Sequence, residues 1–246
     1  KARMEAAFPG VPVKVGLTSR HAVATLKAPG LLAAMAQLAD EGCSDVFVQP
    51  LHVSAGSEYK DMAALAAALN SLNKQGIEKP PFGKVVLGET ALGRTRGGDP
   101  KALAETAEAL AGDAAQAREQ DAALVYGAHG NPKWPATEVK AFQAAMAKAH
   151  PGVTVLAATM ESSPGVEDVL AGLKKSGRKK VIIYPLLFGA GVHAEEDLCG
   201  PEPESWKTLF EKAGYRVDCR MRGLGESDAF ADMIVERAKA AMAKAR

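Results

Sequence analysis

The run Val181–Phe188, VIIYPLLF, is apolar from end to end and bounded by turn residues. It is too short for a membrane helix, which needs about 18 such residues. It reads as a strand covered on both faces, in a parallel sheet whose crossover helices supply the cover. Gly189 and Gly191 follow and permit a tight turn, and then His193 arrives beside Glu195, Glu196 and Asp197. Open α/β sheets hold their ligands just beyond the carboxyl ends of the strands. Most isolated histidines are surface or structural residues, so position makes His193 a candidate.

The rest of the chain keeps the same alternation. Further strands are expected at Val11–Leu17, Val46–Val53, Lys84–Gly88, Ala122–Ala128, Val153–Thr159 and Tyr215–Met221. Helices are expected over 31–40, 61–73, 101–120, 135–150, 165–175, 205–213 and 228–246, with Lys1–Pro9 the last turns of another. Strict β–α alternation implies a parallel sheet with helices on both faces. At 246 residues the chain suits one large domain or two of about 120. We read two α/β sandwich domains, an N-terminal half over 1–100 and a C-terminal half over 101–246. The glycine-rich, charged stretch Gly93–Pro100 is the candidate linker, and the last helix is free to pack back on the first half.

An internal repeat supports the division. Shifted by 135 positions, Gly42–Gly56 overlays Gly177–Gly191, and six of the fifteen pairs are identical, among them Pro50 with Pro185. Glycines at turns and Val or Leu in strands are expected to recur by chance, but proline is unusual within strands. Duplication is therefore the preferred reading. In the overlay His193 faces Glu58.

Composition narrows the function. A net charge of +1 with scattered Lys and Arg gives no footprint for nucleic acid, and no apolar stretch is long enough for a membrane helix. Cys43, Cys199 and Cys219 form no C-x-x-C and no evident disulfide framework, which is compatible with a reducing compartment. Gly189-Ala190-Gly191 is no dinucleotide fingerprint, and no Gly-x-Ser-x-Gly elbow accompanies the histidines.

Three strands of the second half end in groups able to hold a metal: His129, Glu161 and His193, spaced 32 residues apart at each step. In a parallel sheet those ends share one edge. Two neutral imidazoles and a carboxylate suit a borderline divalent ion, such as Co, Fe, Ni or Zn. Three protein ligands leave coordination positions open for a substrate. Cys199 reads as a buried thiol rather than a ligand. Trp134, Phe188 and Trp206 could wall a flat ligand or simply pack in the core, and Arg20, Lys133 and Arg222 could meet carboxylates or simply be solvated.

The run GAGVHAEEDLCGPEPESWK resembles the G-D-H-A-x-N-D-M-x-G…E-D-S-W-K segment of the anaerobic cobalt chelatases, the sirohydrochlorin cobaltochelatases of the class II chelatase superfamily. TSR at 18–20, ADEG with VQPLH and G-x-E-Y at 39–59, GAHGNP at 127–132, TMES at 159–162 and RGLGE at 222–226 resemble further blocks of that family, in the same order. The resemblance implies two similar four- or five-stranded parallel domains with a tetrapyrrole cleft between them. It implies a metal chelatase, a lyase that inserts Co2+ into sirohydrochlorin in cobalamin biosynthesis, with metal ligands at His129, Glu161 and His193. His129 and His193 would also serve in catalysis, one neutral imidazole accepting a pyrrole proton, and Glu58, Glu89, Phe188 and Trp134 would face the macrocycle. No organic cofactor is needed, since the divalent metal is itself a substrate, and a homo-oligomer is compatible with this reading.

Three departures from the pattern stand out. The family's G-H-G-T turn is Ala128-His129-Gly130-Asn131 here, and Val192 stands where the family has an Asp before the second histidine. That Asp could tune the imidazole, so Val192 favours an alternative, a non-catalytic tetrapyrrole- or metal-binding paralogue. Chelation of Fe2+ or Ni2+ is a variant within the same class. The sequence also opens inside the first helix, without the family's preceding strand, so an N-terminal piece is expected before Lys1. The expected location is the cytoplasm, or the periplasm if that piece is an export signal.

Overall fold

In the computed structural model, which describes residues 1–192 and 194–245, the chain opens with three helices, α1 (Ala2–Ala7), α2 (Arg20–Leu26) and α3 (Leu31–Asp40). Ser19 starts α2 by accepting a hydrogen bond from the Ala22 N–H. Strand β1 (Asp45–Val48), helix α4 (Ser57–Leu72) and strand β2 (Lys84–Leu87) follow. β1 and β2 pair in parallel from Asp45 opposite Lys84 to Val48 opposite Leu87. Met35, Val46, Ala66, Phe82 and Val85 form the core beneath them. On α4, Asn70 donates to Val85 O and accepts from Val85 N, both at 2.8 Å, and so satisfies β2 as a further strand would.

The expected strand Val11–Leu17 does not join this sheet. It forms no strand and bridges only at Leu17, which donates to Pro29 O and accepts from Leu31 N. The four or five strands implied by the resemblance are therefore not met here, where two strands pair. Strand β1 is also shorter than the apolar run Val46–Val53, because Pro50 brings no N–H to the ladder.

The remaining elements are α5 (Pro100–Ala109), α6 (Ala111–Glu119), β3 (Ala122–Ala128), α7 (Thr137–Ala149), β4 (Val155–Thr159), α8 (Val166–Ser176), β5 (Lys180–Pro185), a π-helical turn Ala194–Cys199, α9 (Trp206–Lys212), β6 (Arg216–Cys219) and α10 (Asp228–Ala245). The single helix expected over 101–120 breaks at Leu110, which leaves helical geometry (ψ 16°) while its side chain sinks into the core at 1% exposure. Asp99 caps α5 ahead of Pro100, the favoured start of a helix. Contacts divide the chain into two compact units. One comprises Lys1–Pro50, Gly56–Glu89 and the chain from Ile234; the other comprises Leu51–Ala55 and Thr90–Met233.

The second unit holds four parallel strands in the order β4-β3-β5-β6. Every residue of β3 is buried, as a central strand covered on both faces must be. On one face Val125, Val181 and Ile183 pack with Val169 and Leu173 of α8, Trp206 and Phe210 of α9, and Leu198 of the π-helical turn. Tyr126 points to the other face and meets the Phe142 ring edge-on at 5.2 Å. Each such side chain contributes about 1.5–3 kcal/mol by burial. The outer strand β4 is guarded by Gln143 of α7, which accepts the Ala157 N–H. Both units are thus α/β with parallel sheets, the class expected from the alternation. The repeat is visible locally, since Gly42 and Gly177 both take left-handed backbone (φ 82° and 70°) before a strand that stops short of or at its matched proline.

The cysteines correct the sequence reading: Cys199 and Cys219 form a disulfide, with Cα atoms 5.6 Å apart, and Cys43 is free. A separation of 20 residues matches no motif. The pairing arises because the π-helical turn after β5 folds back over the end of β6. Closing a loop of this length contributes about 3 kcal/mol. Alkylation of the unreduced protein is expected to label Cys43 alone, with two further labels and a loss of roughly that stability after reduction, as read by mass and by denaturant titration. Separately, Gly127 abuts Leu198 so closely that any added Cβ would collide with its side chain. Gly127→Val should cost about 1–3 kcal/mol, measurable by urea unfolding.

Candidate functional site

Strands β3 and β4 run in register to Ala128 opposite Thr159. Their ladder then continues one step beyond the strands, with Met160 N donating to Ala128 O (2.9 Å) and Glu161 N to His129 O (3.0 Å). Two neighbouring strand ends therefore deliver His129 and Glu161 side by side, with Nδ1 and Oε2 3.4 Å apart. Their side chains are 43% and 39% exposed, open enough to take an ion from solvent. Sequential parallel connections leave β3 toward β4 on one side and β5 toward β6 on the other. A sheet of this kind binds ligands at such a reversal, outside the carboxyl ends.

The turn that carries His129 is tightly built. Gly130 has φ +87°, and a Cβ there would lie 2.8 Å from Thr159 Cβ, so only glycine fits. Thr159 donates to Ser162 O (2.7 Å) and accepts from Ser162 N (3.1 Å). Asn131, in place of the family threonine, accepts the Lys133 N–H at 2.9 Å and so closes a turn of its own. His129 Nδ1 lies 3.2 Å from Gly130 O. The same ring nitrogen therefore faces both the Gly130 carbonyl and the Glu161 carboxylate.

His193 lies outside the described residues. Before it, Val192 is 62% exposed, and after it Ala194 is fully buried at the start of the π-helical turn. Among the described residues no three His, Cys, Asp or Glu side chains are placed to hold a metal.

Comparison with known proteins agrees with the sequence blocks. The model of the cobalt chelatase (CbiK) family matches residues 1–243. The chain belongs to the cobalt chelatase family. It is 31% identical to the sirohydrochlorin cobaltochelatase CbiKC of Nitratidesulfovibrio vulgaris over 98% of this chain and 82% of that one. It is 27% identical to the sirohydrochlorin cobaltochelatase of Salmonella typhimurium over 83% of this chain and 71% of the relative. The structure of SirB from Bacillus subtilis with Fe3+ superposes with a TM-score of 0.65, at 15% identity, covering 99% of this chain and 87% of that one. That likeness shows the two-domain chelatase fold.

In this member of the cobalt chelatase family the other predicted residues are placed as follows. Phe188, 37% exposed, lies against Gly225, where a Cβ would meet its ring at 2.8 Å. Trp134 is half-buried with the Arg96 guanidinium 3.9 Å above its ring. Glu58 is exposed in the first turn of α4, and Glu89 lies 3.9 Å from the Arg237 guanidinium, both in the first unit. Trp206 is core, at 4% exposure.

The sequence reading missed a polar cluster on the opposite face of the sheet. Asp113 of α6, 4% exposed, accepts from Tyr126 Oη at 2.9 Å and from Arg222. Arg222 is thus not a solvated surface charge. Its guanidinium lies 4.7 Å from the Tyr184 ring centre, and Tyr184 Oη donates to Gln116. The available signal was a lone carboxylate in the alanine-rich AGDAAQA segment, on a helix expected to face the core. Burial raises the Asp113 carboxyl above its usual range; Arg222 and Tyr126 oppose that without cancelling it. Burial, then the adjacent Asp113, pushes the Tyr126 phenol well up, so it stays a neutral donor.

An acid whose pKa is higher folded than unfolded binds its proton more tightly in the folded state. Its contribution to stability therefore grows as pH falls from above the raised value toward the ordinary aspartate value, about 3.9. Asp113→Asn should remove this slope from a plot of unfolding free energy against pH. An unchanged slope would show that Asp113 titrates normally.

Proposed function

We propose that this chain inserts Co2+ into sirohydrochlorin, exchanging two pyrrole protons for the ion, on the route to cobalamin. The observation that carries the reading is the half-exposed His129–Glu161 pair at the carboxyl edge of the parallel sheet, in a chain whose relatives are named sirohydrochlorin cobaltochelatases. In this reading His129, Glu161 and His193 receive the metal. A ligated nitrogen cannot accept a proton at the same moment, so the imidazoles alternate between roles or a second base, Glu58 or Glu89, takes the proton. Phe188 and Trp134 supply apolar surface for the flat macrocycle. The metal is a substrate, and no organic cofactor enters the reaction.

Val192 supports the second reading, a paralogue that binds but does not turn over, because an exposed apolar residue replaces the family carboxylate beside His193. The Cys199–Cys219 bridge favours an oxidising compartment, hence the periplasmic alternative over the cytoplasmic one. No described helix is long and apolar enough to cross a membrane.

Anaerobic absorption spectroscopy of sirohydrochlorin with Co2+ tests both readings. Metallation above the uncatalysed rate is expected, falling at least about 100-fold in His193→Ala and in His129→Ala and about 10–100-fold in Glu161→Gln. Macrocycle binding without acceleration, restored to turnover by Val192→Asp, would establish the binding-protein reading instead.

A further inference from the structure

The polar cluster on the far face of the second unit borders a cavity of about 340 Å3, which the metal pair does not line. Its polar wall is Asp113, Gln116, Tyr184, Arg222 and Ser227. We propose that this cavity is a binding site for a carboxylate group, with Arg222 as its receptor.

The argument begins with Arg222. A guanidinium binds anions best when its plane is fixed beforehand, because little freedom is then lost on binding. Arg222 is fixed from two sides, by its hydrogen bond to the buried Asp113 and by stacking on Tyr184 at 4.7 Å. Its side chain nevertheless stays 34% exposed, so part of the fork remains reachable. Asp113 has each oxygen bonded, one by Arg222 and one by Tyr126, so its charge is already shared between two donors. Gln116 has given its oxygen to Tyr184, which leaves its amide NH2 to donate, and the Ser227 hydroxyl adds another donor. The wall thus presents donors and one cation to whatever enters.

The charge balance selects among anions. Asp113 offsets much of the Arg222 charge, so a dianionic phosphate would meet a nearby carboxylate with only one cation to hold it. A planar monoanion places less charge beside Asp113 than a phosphate does, and it suits the two-pronged geometry of the guanidinium. A cavity beside a perturbed acid with converging polar groups is also where ligand sites concentrate. Gly112 lies on the wall, and a Cβ there would meet nothing within 4 Å, so the helix leaves this space open.

Two sources could supply the carboxylate: a free small acid, or an acidic arm of the macrocycle, which rests on the proposed chelatase function. Gly112→Met fills the cavity without touching the Asp113–Arg222 pair and replaces a helix-weakening glycine, so it should fold. The double variant Asp113→Asn with Arg222→Gln removes both charges together and leaves neither buried alone.

Succinate titrated into 15N-labelled protein should shift the Arg222 Nε–H and Gln116 amide signals to saturation; Gly112→Met should abolish both shifts, and the double variant should abolish that of Gln116. If the source is the macrocycle, both variants should raise the KM for sirohydrochlorin about tenfold, a loss of about 1.4 kcal/mol, with a smaller change in kcat. Fully esterified sirohydrochlorin should then bind weakly and alike to all forms. Loss of the succinate shift with KM unchanged would assign the site to a free acid. No succinate shift in the wild type, with sirohydrochlorin KM unchanged in both variants, would overturn the site. Absence of wild-type metallation would reject the chelatase reading, while the succinate titration would still decide the site.

Discussion

The candidate site depends on a backbone ladder that does not stop where its strands do. The hydrogen bonds from Met160 to Ala128 and from Glu161 to His129 carry the β3–β4 register past the sheet edge. Register in a parallel pair is set by the buried faces, since a slip of one residue would turn Val125 and Tyr126 to the wrong sides. The packing of the core therefore fixes which side chains emerge at the edge, and fixes them as neighbours. Gly130 and Thr159 then stiffen the exit, one by its left-handed backbone and the other by its hydrogen bonds to the Ser162 backbone.

This explains why so much was legible in the sequence. Continuous apolar runs declared the central strands, and what followed each run had to lie at one edge. His129 and Glu161 needed no further information than that. What was hidden depends on contacts across chain distance. The Cys199–Cys219 bridge, the break at Leu110 and the pairing of Asp113 with Arg222 over 109 residues leave no periodic trace. Val11–Leu17 shows the opposite error: its composition allows a strand, but strand pairing is a property of two segments, and only Leu17 finds a bridge partner.

The alternation of β3 also separates two kinds of polar chemistry. Odd-numbered positions face α8, α9 and the π-helical turn, and Gly127 among them must stay bare because Leu198 occupies its space. Tyr126 faces the other way and anchors Asp113, which in turn aims Arg222. One strand thus delivers His129 at its end and supports a buried ionic cluster along its length without either intruding on the other. The disulfide ties the segment after residue 193 to the end of β6, so the last residue of the π-helical turn is held covalently to the sheet.

The exposure of the His129–Glu161 pair bears on the kind of metal chemistry it can support. A structural site closes around its ion with four protein ligands and keeps it. A chelatase must release the ion to a ring of four nitrogens, which bind it far more tightly than two or three side chains can. Weak, incomplete coordination at an open edge is then an advantage, because every protein–metal bond has to break before the product leaves. Two half-exposed side chains on neighbouring strands, oriented by backbone rather than by a surrounding cage, suit transient custody of an ion better than its storage.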